Sequence, residues 1–162
     1  MKEKLTKSEI ETINLGFSFG KLLEPGMVLL LTGDLASGKT TFTKGIGKAL
    51  NIKETINSPS YTIMKSYHAN NQDFYHFDFY RLTEEGVDFD FEDYIHSSAI
   101  TVIEWPFNVK SLLPNEYILI NIEITNDNER KFTFSSVGEQ YEKVINKLWK
   151  DYCSTLQQTS YM

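Results

Sequence analysis

The sequence predicts a three-layer α/β domain built on a sheet of mixed parallel and antiparallel strands. Three observations predict it. Met27 to Thr32 is a short, mostly apolar run bounded by glycines, the pattern of a strand buried on both faces. A glycine-rich loop follows, and then a segment that carries Phe42 and Ile46 inward at helical spacing. Further on, alternating segments flank short turn-like stretches, as antiparallel pairs do. Strands and helices interleave, which places the chain in the layered α/β class.

Taken in order, Thr6-Lys7-Ser8-Glu9 has capping-box spacing, a hydroxyl followed three residues later by a carboxylate. Ile10, Ile13 and Phe17 continue at helical spacing, and Pro25-Gly26 is the expected stop. Gly16 and Gly20 interrupt that pattern. After the buried strand, a second helix is expected from Lys39 to about Asn51. Tyr61 to Tyr67 and Phe74 to Tyr80 read as strands, joined into a hairpin by the turn-like Ala69-Asn70-Asn71-Gln72. Ile100 to Glu104 is a further apolar strand, and Tyr117 to Ile124 with Lys131 to Phe134 forms a second antiparallel pair. Tyr141, Val144, Ile145, Leu148, Trp149 and Tyr152 lie on one stripe, an amphipathic helix at about 138–154 that packs on its own domain. No repeat, low-complexity tract or linker divides the chain, so residues 1–162 are read as a single domain.

The composition narrows the partners. With 41% hydrophobic and 23% charged residues the chain is ordinary and globular, and no apolar run is long enough to cross a membrane. The N-terminus lacks the apolar core of a secretory signal, and the single Cys153, expected half-buried on the last helix, cannot form an internal disulfide. A cytoplasmic location is the expectation. The net charge is −6 and the only arginines are Arg81 and Arg130, so no basic face is available to grip nucleic acid phosphates. The run from Glu84 to Tyr94 is acidic and aromatic. It reads as a solvated face, unless exposed Phe89 and Phe91 mark a docking surface.

The chemistry is concentrated in Gly33-Asp34-Leu35-Ala36-Ser37-Gly38-Lys39-Thr40, a full match to G-x-x-x-x-G-K-[ST]. A chain wrapping a phosphate must turn tightly and aim its backbone N–H groups inward, which glycine permits. The helix opening at Lys39 directs its N-terminal N–H groups and dipole at the anion. Lys39 adds a mobile positive charge for the terminal phosphates, the Thr40 hydroxyl is placed for Mg²⁺, and Thr41 supplies a further hydroxyl. Chance produces such a match in roughly one chain of this length in a hundred or fewer. The preceding strand and following helix supply the context the motif requires.

Other features separate the classes that share this loop. A guanine reader N-K-x-D is lacking, because Asn146-Lys147-Leu148-Trp149 has no aspartate and falls within the last helix. A small-molecule kinase needs several arginines to hold donor and acceptor phosphates, and two are available. An AAA-type motor would need a longer chain and a helical lid domain. A nucleotide-gated binding module without catalysis stays compatible with the loop.

Four motifs then occur in order: the glycine loop with Thr41-Phe42, Ser58-Pro59-Ser60-Tyr61-Thr62, His76-Phe77-Asp78-Phe79-Tyr80-Arg81-Leu82, and Ile103-Glu104-Trp105-Pro106. Together they resemble the TsaE (formerly YjeE) family, from about Glu11 to about Lys131. The resemblance implies a compact P-loop domain with a mixed sheet, which binds ATP and Mg²⁺ and hydrolyses the nucleotide. It also implies work with TsaB and TsaD in placing a threonylcarbamoyl group on the adenosine beside the anticodon of tRNAs that read codons beginning with A. TsaD performs the transfer, so this chain meets tRNA only through its partners. By the same resemblance Gly33, Leu35, Ala36, Ser37, Gly38, Lys39, Thr40 and Thr41 hold the nucleotide phosphates, and Thr40 and Glu104 are the metal ligands. Lys39 and Asp78 are the catalytic pair, with Asp78 orienting the attacking water or the metal's water shell; either carboxylate is compatible with direct metal contact. Ser58, Ser60 and Thr62 are expected to form a moving loop that senses the terminal phosphate, the alternative being an ordinary Ser-Pro turn. Trp105 is expected either to cover the nucleotide or to pack as a core aromatic, Glu9 and Thr12 to line the adenine side, and Arg130 to lie near the nucleotide. Tyr80 and Arg81 brace Asp78 or face a partner, and His76 is expected to be a packed residue with no part in the chemistry.

The chain departs from the family pattern twice. Ala36-Ser37 stands where Gly-Ala is usual, and a positive φ at Ala36 would cost roughly 1 kcal/mol or more. Ser60 replaces a threonine and keeps the hydroxyl.

Overall fold

A computed structural model describes residues 1–87 and 90–159, apart from the side chains of Cys153 and 155–159. The expectations for Phe89 and for the burial of Cys153 lie outside these described residues. β1 (Lys2–Thr6) leads into α1 (Glu9–Gly20), β2 (Val28–Thr32) and α2 (Lys39–Ala49). Then come β3 (Met64–Ala69), β4 (Gln72–Asp78), the short α3 (Asp90–Ile95) and β5 (Ile100–Glu104). A 3-10 segment (Pro106–Leu112), β6 (Tyr117–Ile124), β7 (Arg130–Val137) and α4 (Glu139–Thr159) complete the order.

The strands form one seven-stranded sheet in the order β1-β7-β6-β2-β5-β4-β3. β6, β2, β5 and β4 are parallel at its centre; on one side β7 pairs antiparallel with β6 and β1 antiparallel with β7, and on the other β3 pairs antiparallel with β4. The mixed sheet expected from sequence is therefore present. Val28 to Leu31 are all buried because β2 is covered on both faces. Leu29 and Leu31 join Phe19, Phe42, Ile46, Phe134 and Leu148 in the layer of α1, α2 and α4. Val28 and Leu30 join Phe77, Phe79, Ile103 and Leu112 on the other face, under α3 and the 3-10 segment. Each fully buried leucine contributes about 1.5–3 kcal/mol of transfer free energy, set against the cost of ordering the chain.

Gly16 belongs in α1 for a steric reason. A Cβ there would meet the carbonyl of Phe42, and one on Gly45 of α2 would meet the carbonyl of Ile13. Small residues let the two helices approach at backbone distance.

The structure corrects several boundaries. The first helix is capped two residues later than Thr6: the Ser8 hydroxyl accepts the Glu11 N–H at 3.1 Å, and Glu11 Oε2 accepts the Lys7 N–H at 2.7 Å. Thr6 instead ends β1, a strand the charged N-terminal sequence did not announce. The helix ends at Gly20, before Pro25, where Lys21 N–H reaches back to Phe17 O. β3 starts at Met64, and Tyr61 to Ile63 belong to a turn that closes on β4. Asn70 and Asn71 both have positive φ (53° and 60°), a two-residue hairpin turn suited to asparagine. β7 runs from Arg130 to Val137, longer than expected, and α4 continues to Thr159. Its stripe packs as expected, with Trp149 edge-on to Phe134 at 5.1 Å and the Tyr141 hydroxyl accepting the Val28 N–H at 3.0 Å. Phe91 is partly buried with its ring 5.5 Å from Phe77, so it is not an exposed docking residue.

Candidate functional site

The glycine loop leaves the C-terminal end of β2 and enters α2, at the sheet edge where parallel α/β proteins bind ligands. Gly33 and Gly38 have φ of 142° and 109°, conformations closed to most side chains, and Gly38 is the N-cap of α2. Between them Ala36 also sits at φ 63°. Ser37 is buried and closes the turn through its N–H to Asp34 O at 3.1 Å. The orphan N–H groups of the first turn of α2 face the loop.

Lys39 is 5% exposed. Its ammonium donates to Gly33 O at 2.7 Å and Asp34 O at 2.8 Å, and lies 4.6 Å from the centroid of the Trp105 ring. Burial pulls its pKa below the usual value, while Glu104, Asp78 and Asp34 act the other way. Trp105 itself has left-handed backbone (φ 55°, ψ 47°), an outlier for a bulky residue, and its ring contacts Tyr80 at 4.9 Å.

Two carboxylates complete the centre. Asp78 and Glu104 end the neighbouring parallel strands β4 and β5, are paired in register, and are each 3% exposed. Glu104 Oε1 accepts from the Thr40 hydroxyl at 3.0 Å and lies 3.1 Å from His76 Nε2. Asp78 Oδ2 accepts from Ser58 at 2.9 Å and Ser60 at 3.1 Å, and Oδ1 accepts the Tyr80 N–H at 2.9 Å. The Ser58–Ser60 turn reaches β4 through Ile63, a β-branched residue at φ 69° whose carbonyl accepts the Asp78 N–H at 2.8 Å. Arg81 stacks its guanidinium 4.4 Å from the Tyr61 ring, a second tie between that turn and the end of β4.

On the other side of the loop, Ser8, Glu9, Thr12, Thr41 and Arg130 line a cavity of about 260 Å³. Thr12 is fixed by a 2.8 Å hydrogen bond between its hydroxyl and that of Thr6. Arg130 donates to Ser37 O at 3.0 Å, Ala36 O at 3.4 Å, and the carbonyls of Asn126, Asp127 and Glu129, so it clamps the loop.

Most of the residues expected at the site from sequence thus converge. Two of them are exposed: Leu35, at 62%, and Thr62. His76 is fully buried, as expected of a packed residue, but it packs against Glu104. The signal for it was strand alternation, which puts Phe74, His76 and Asp78 on one face of β4.

A mixed α/β sheet whose central strand feeds a glycine loop, a buried lysine and a helix N-terminus defines a protein of the P-loop class. The family model described as "Threonylcarbamoyl adenosine biosynthesis protein TsaE" matches residues 6–132, and the chain belongs to the TsaE family. It is 41% identical over 125 residues to the tRNA threonylcarbamoyladenosine biosynthesis protein TsaE of Bacillus subtilis (strain 168), spanning 77% of this chain and 79% of that one. The protein of the same description from Treponema pallidum (strain Nichols) is 37% identical over 131 residues, 80% of this chain and 96% of that one. Among solved structures, Bacillus subtilis YdiB superposes with a TM-score of 0.81 at 33% identity, covering 93% of this chain and 95% of that one. Among the described residues no helix is long and apolar enough to cross a membrane.

Proposed function

We propose that the protein is a Mg²⁺-dependent ATPase that supports threonylcarbamoylation of tRNA, acting in the cytoplasm with TsaB and TsaD. The observation that carries the ATPase part of this reading is the 3.0 Å hydrogen bond from the Thr40 hydroxyl to the Glu104 carboxylate, and the tRNA part rests on the family match. It joins the helix opened by the glycine loop to the end of the neighbouring strand, with Lys39 alongside.

The residues fit Mg²⁺. Thr40 and Glu104 offer hard oxygens, the ligands Mg²⁺ takes while phosphate and water fill its other positions. When bound, the ion would neutralise charge on the terminal phosphates. The chain's own residues do the rest. Lys39 exchanges the carbonyls of Gly33 and Asp34 for phosphate oxygens, a move favoured because those partners are neutral. The first turn of α2 supplies further donors. The cavity beside Glu9, Thr12 and Thr41 takes the nucleoside end. Asp78 orients the attacking water, and for that the hydroxyls of Ser58 and Ser60 must leave its Oδ2. The loop from Ser58 to Thr62 is therefore the moving part, and low turnover is expected until a partner moves it. The net charge of −6 leaves tRNA to those partners.

The test is ATP hydrolysis with Mg²⁺, with and without the cognate TsaB–TsaD pair. Stimulation that is lost in D78A and E104A is expected. K39A that keeps both nucleotide binding and stimulation would overturn the site. Nucleotide binding without stimulation would favour a nucleotide-gated module, the reading compatible with an Asp78 engaged at both oxygens by protein donors.

A further inference from the structure

His76 is fully buried, yet only one of its ring nitrogens has a partner. Nε2 lies 3.1 Å from Glu104 Oε1, and facing a carboxylate oxygen it must carry the hydrogen. Nδ1 is buried and makes no hydrogen bond. An unpartnered buried polar atom costs stability, and a leucine or methionine in this slot would avoid that cost. Along β4 and toward β5 its neighbours are apolar, since Phe74 precedes His76 and Val102, its register partner on β5, is fully buried; on β3 its register partner is the exposed Lys65. The single interaction an apolar residue could not supply is the one to Glu104.

That interaction has a direction. Both protein donors to Glu104, the Thr40 hydroxyl and His76 Nε2, converge on Oε1. Among the described residues Oε2 receives no hydrogen bond from the protein. A carboxylate held by one oxygen from two sides cannot rotate freely, and its other oxygen is presented in a fixed direction. His76 is rigid because β4 holds its backbone between β3 and β5.

We propose that His76 is a positioning residue which, through Nε2–H, fixes the Glu104 carboxylate for the magnesium ion. This rests on the proposed metal role of Thr40 and Glu104. Outer partners that orient a metal ligand typically change metal affinity by about 10–100-fold when removed. The nucleotide's own contacts with the glycine loop do not involve His76, so its metal-free affinity should not move.

The experiment is calorimetric binding of ATP to the full-length protein, in Mg²⁺ and in EDTA, for wild type, H76Q, H76M and E104Q. Gln and Met have nearly the same shape, but only Gln carries an N–H that reaches toward Glu104. Expected is a Mg²⁺ enhancement that H76Q largely keeps and H76M reduces by about 10-fold or more, with equal affinities in EDTA. H76N, too short to reach Glu104, should behave as H76M and replaces it if thermal melting shows that H76M does not fold. Equal enhancement in H76Q and H76M, or equal loss in both, overturns the role of the N–H. If E104Q itself keeps the full enhancement, or wild type has none, the metal assignment fails instead, and the two failures are distinguishable.

Discussion

Replacing Ala36 by glycine is expected to stabilise the protein. Ala36 has φ of 63°, where an L side chain costs about 1–2 kcal/mol. Glycine removes that strain but gives the unfolded chain more freedom, a loss of about 0.4–1 kcal/mol. Packing adds little to the balance, because Ala36 is exposed. Its carbonyl, which accepts from Arg130 Nη2 at 3.4 Å, is kept by either residue. The net gain is about 0.8 kcal/mol, the difference of those two ranges at their centres. In a domain of this size that is a rise in Tm of about 2–3 °C. Thermal melting and urea unfolding of A36G against wild type measure it, with unchanged m-values showing that both report the native state. A lower Tm for A36G would refute the reasoning. It would mean that the alanine methyl makes a contact worth more than the backbone strain.

Two further perturbations test other parts of the structure. G45A should destabilise by about 1–3 kcal/mol, because its Cβ would collide with the carbonyl of Ile13, a backbone group of α1 that cannot step aside; urea unfolding checks this, and a neutral result would mean the helices are not in backbone contact. K39M should remove a pH dependence: burial lowers the native pKa of Lys39 below 10.5, so between those values the unfolded chain binds more protons and this group's contribution to stability rises with pH. The stability of wild type relative to K39M should therefore grow as the pH approaches 10.5 in urea titrations, and a relative fall over that window would contradict the burial assigned to Lys39.

What could be read from the sequence is what short-range pattern and steric rules control. The buried β2, the glycine loop and α2 follow from a wholly apolar strand and a motif whose spacing is fixed by the phosphate it would wrap. The positive φ of Ala36 could be anticipated because the family pattern has glycine there. Features decided by distant pairing were hidden. β1, with the sequence Lys-Glu-Lys-Leu-Thr, has no hydrophobic alternation, and it forms because β7 offers an unpaired edge that a charged strand can cover. The Ser58–Ile63 segment has strand-like residues but turns back on β4, its closure depending on Asp78 twenty residues away. Arg130 could be placed near the loop, but its role as a clamp on Ser37 and Ala36 depends on the β6–β7 hairpin, whose tip carbonyls it also takes up.

The same contrast divides the candidate site into two mechanical parts. Lys39, Thr40, His76 and Glu104 sit on α2, β4 and β5, elements held by the central parallel strands and by a closed core on both faces. Ser58 and Tyr61 are exposed, and their segment ends at Ile63, whose left-handed backbone is tolerated only while Pro59 and Asp78 hold it by hydrogen bonds of 2.7 and 2.8 Å. Asp78 stands at the boundary, rigid in its backbone and engaged at its carboxylate by the exposed turn. A partner that draws Ser58 and Ser60 away would relieve the constraint that holds Ile63 and free an Asp78 oxygen in one motion, with the phosphate loop undisturbed. Under the proposed activity, binding of nucleotide and its hydrolysis are then separable: the buried part governs the first, and the exposed turn, through Asp78, the second.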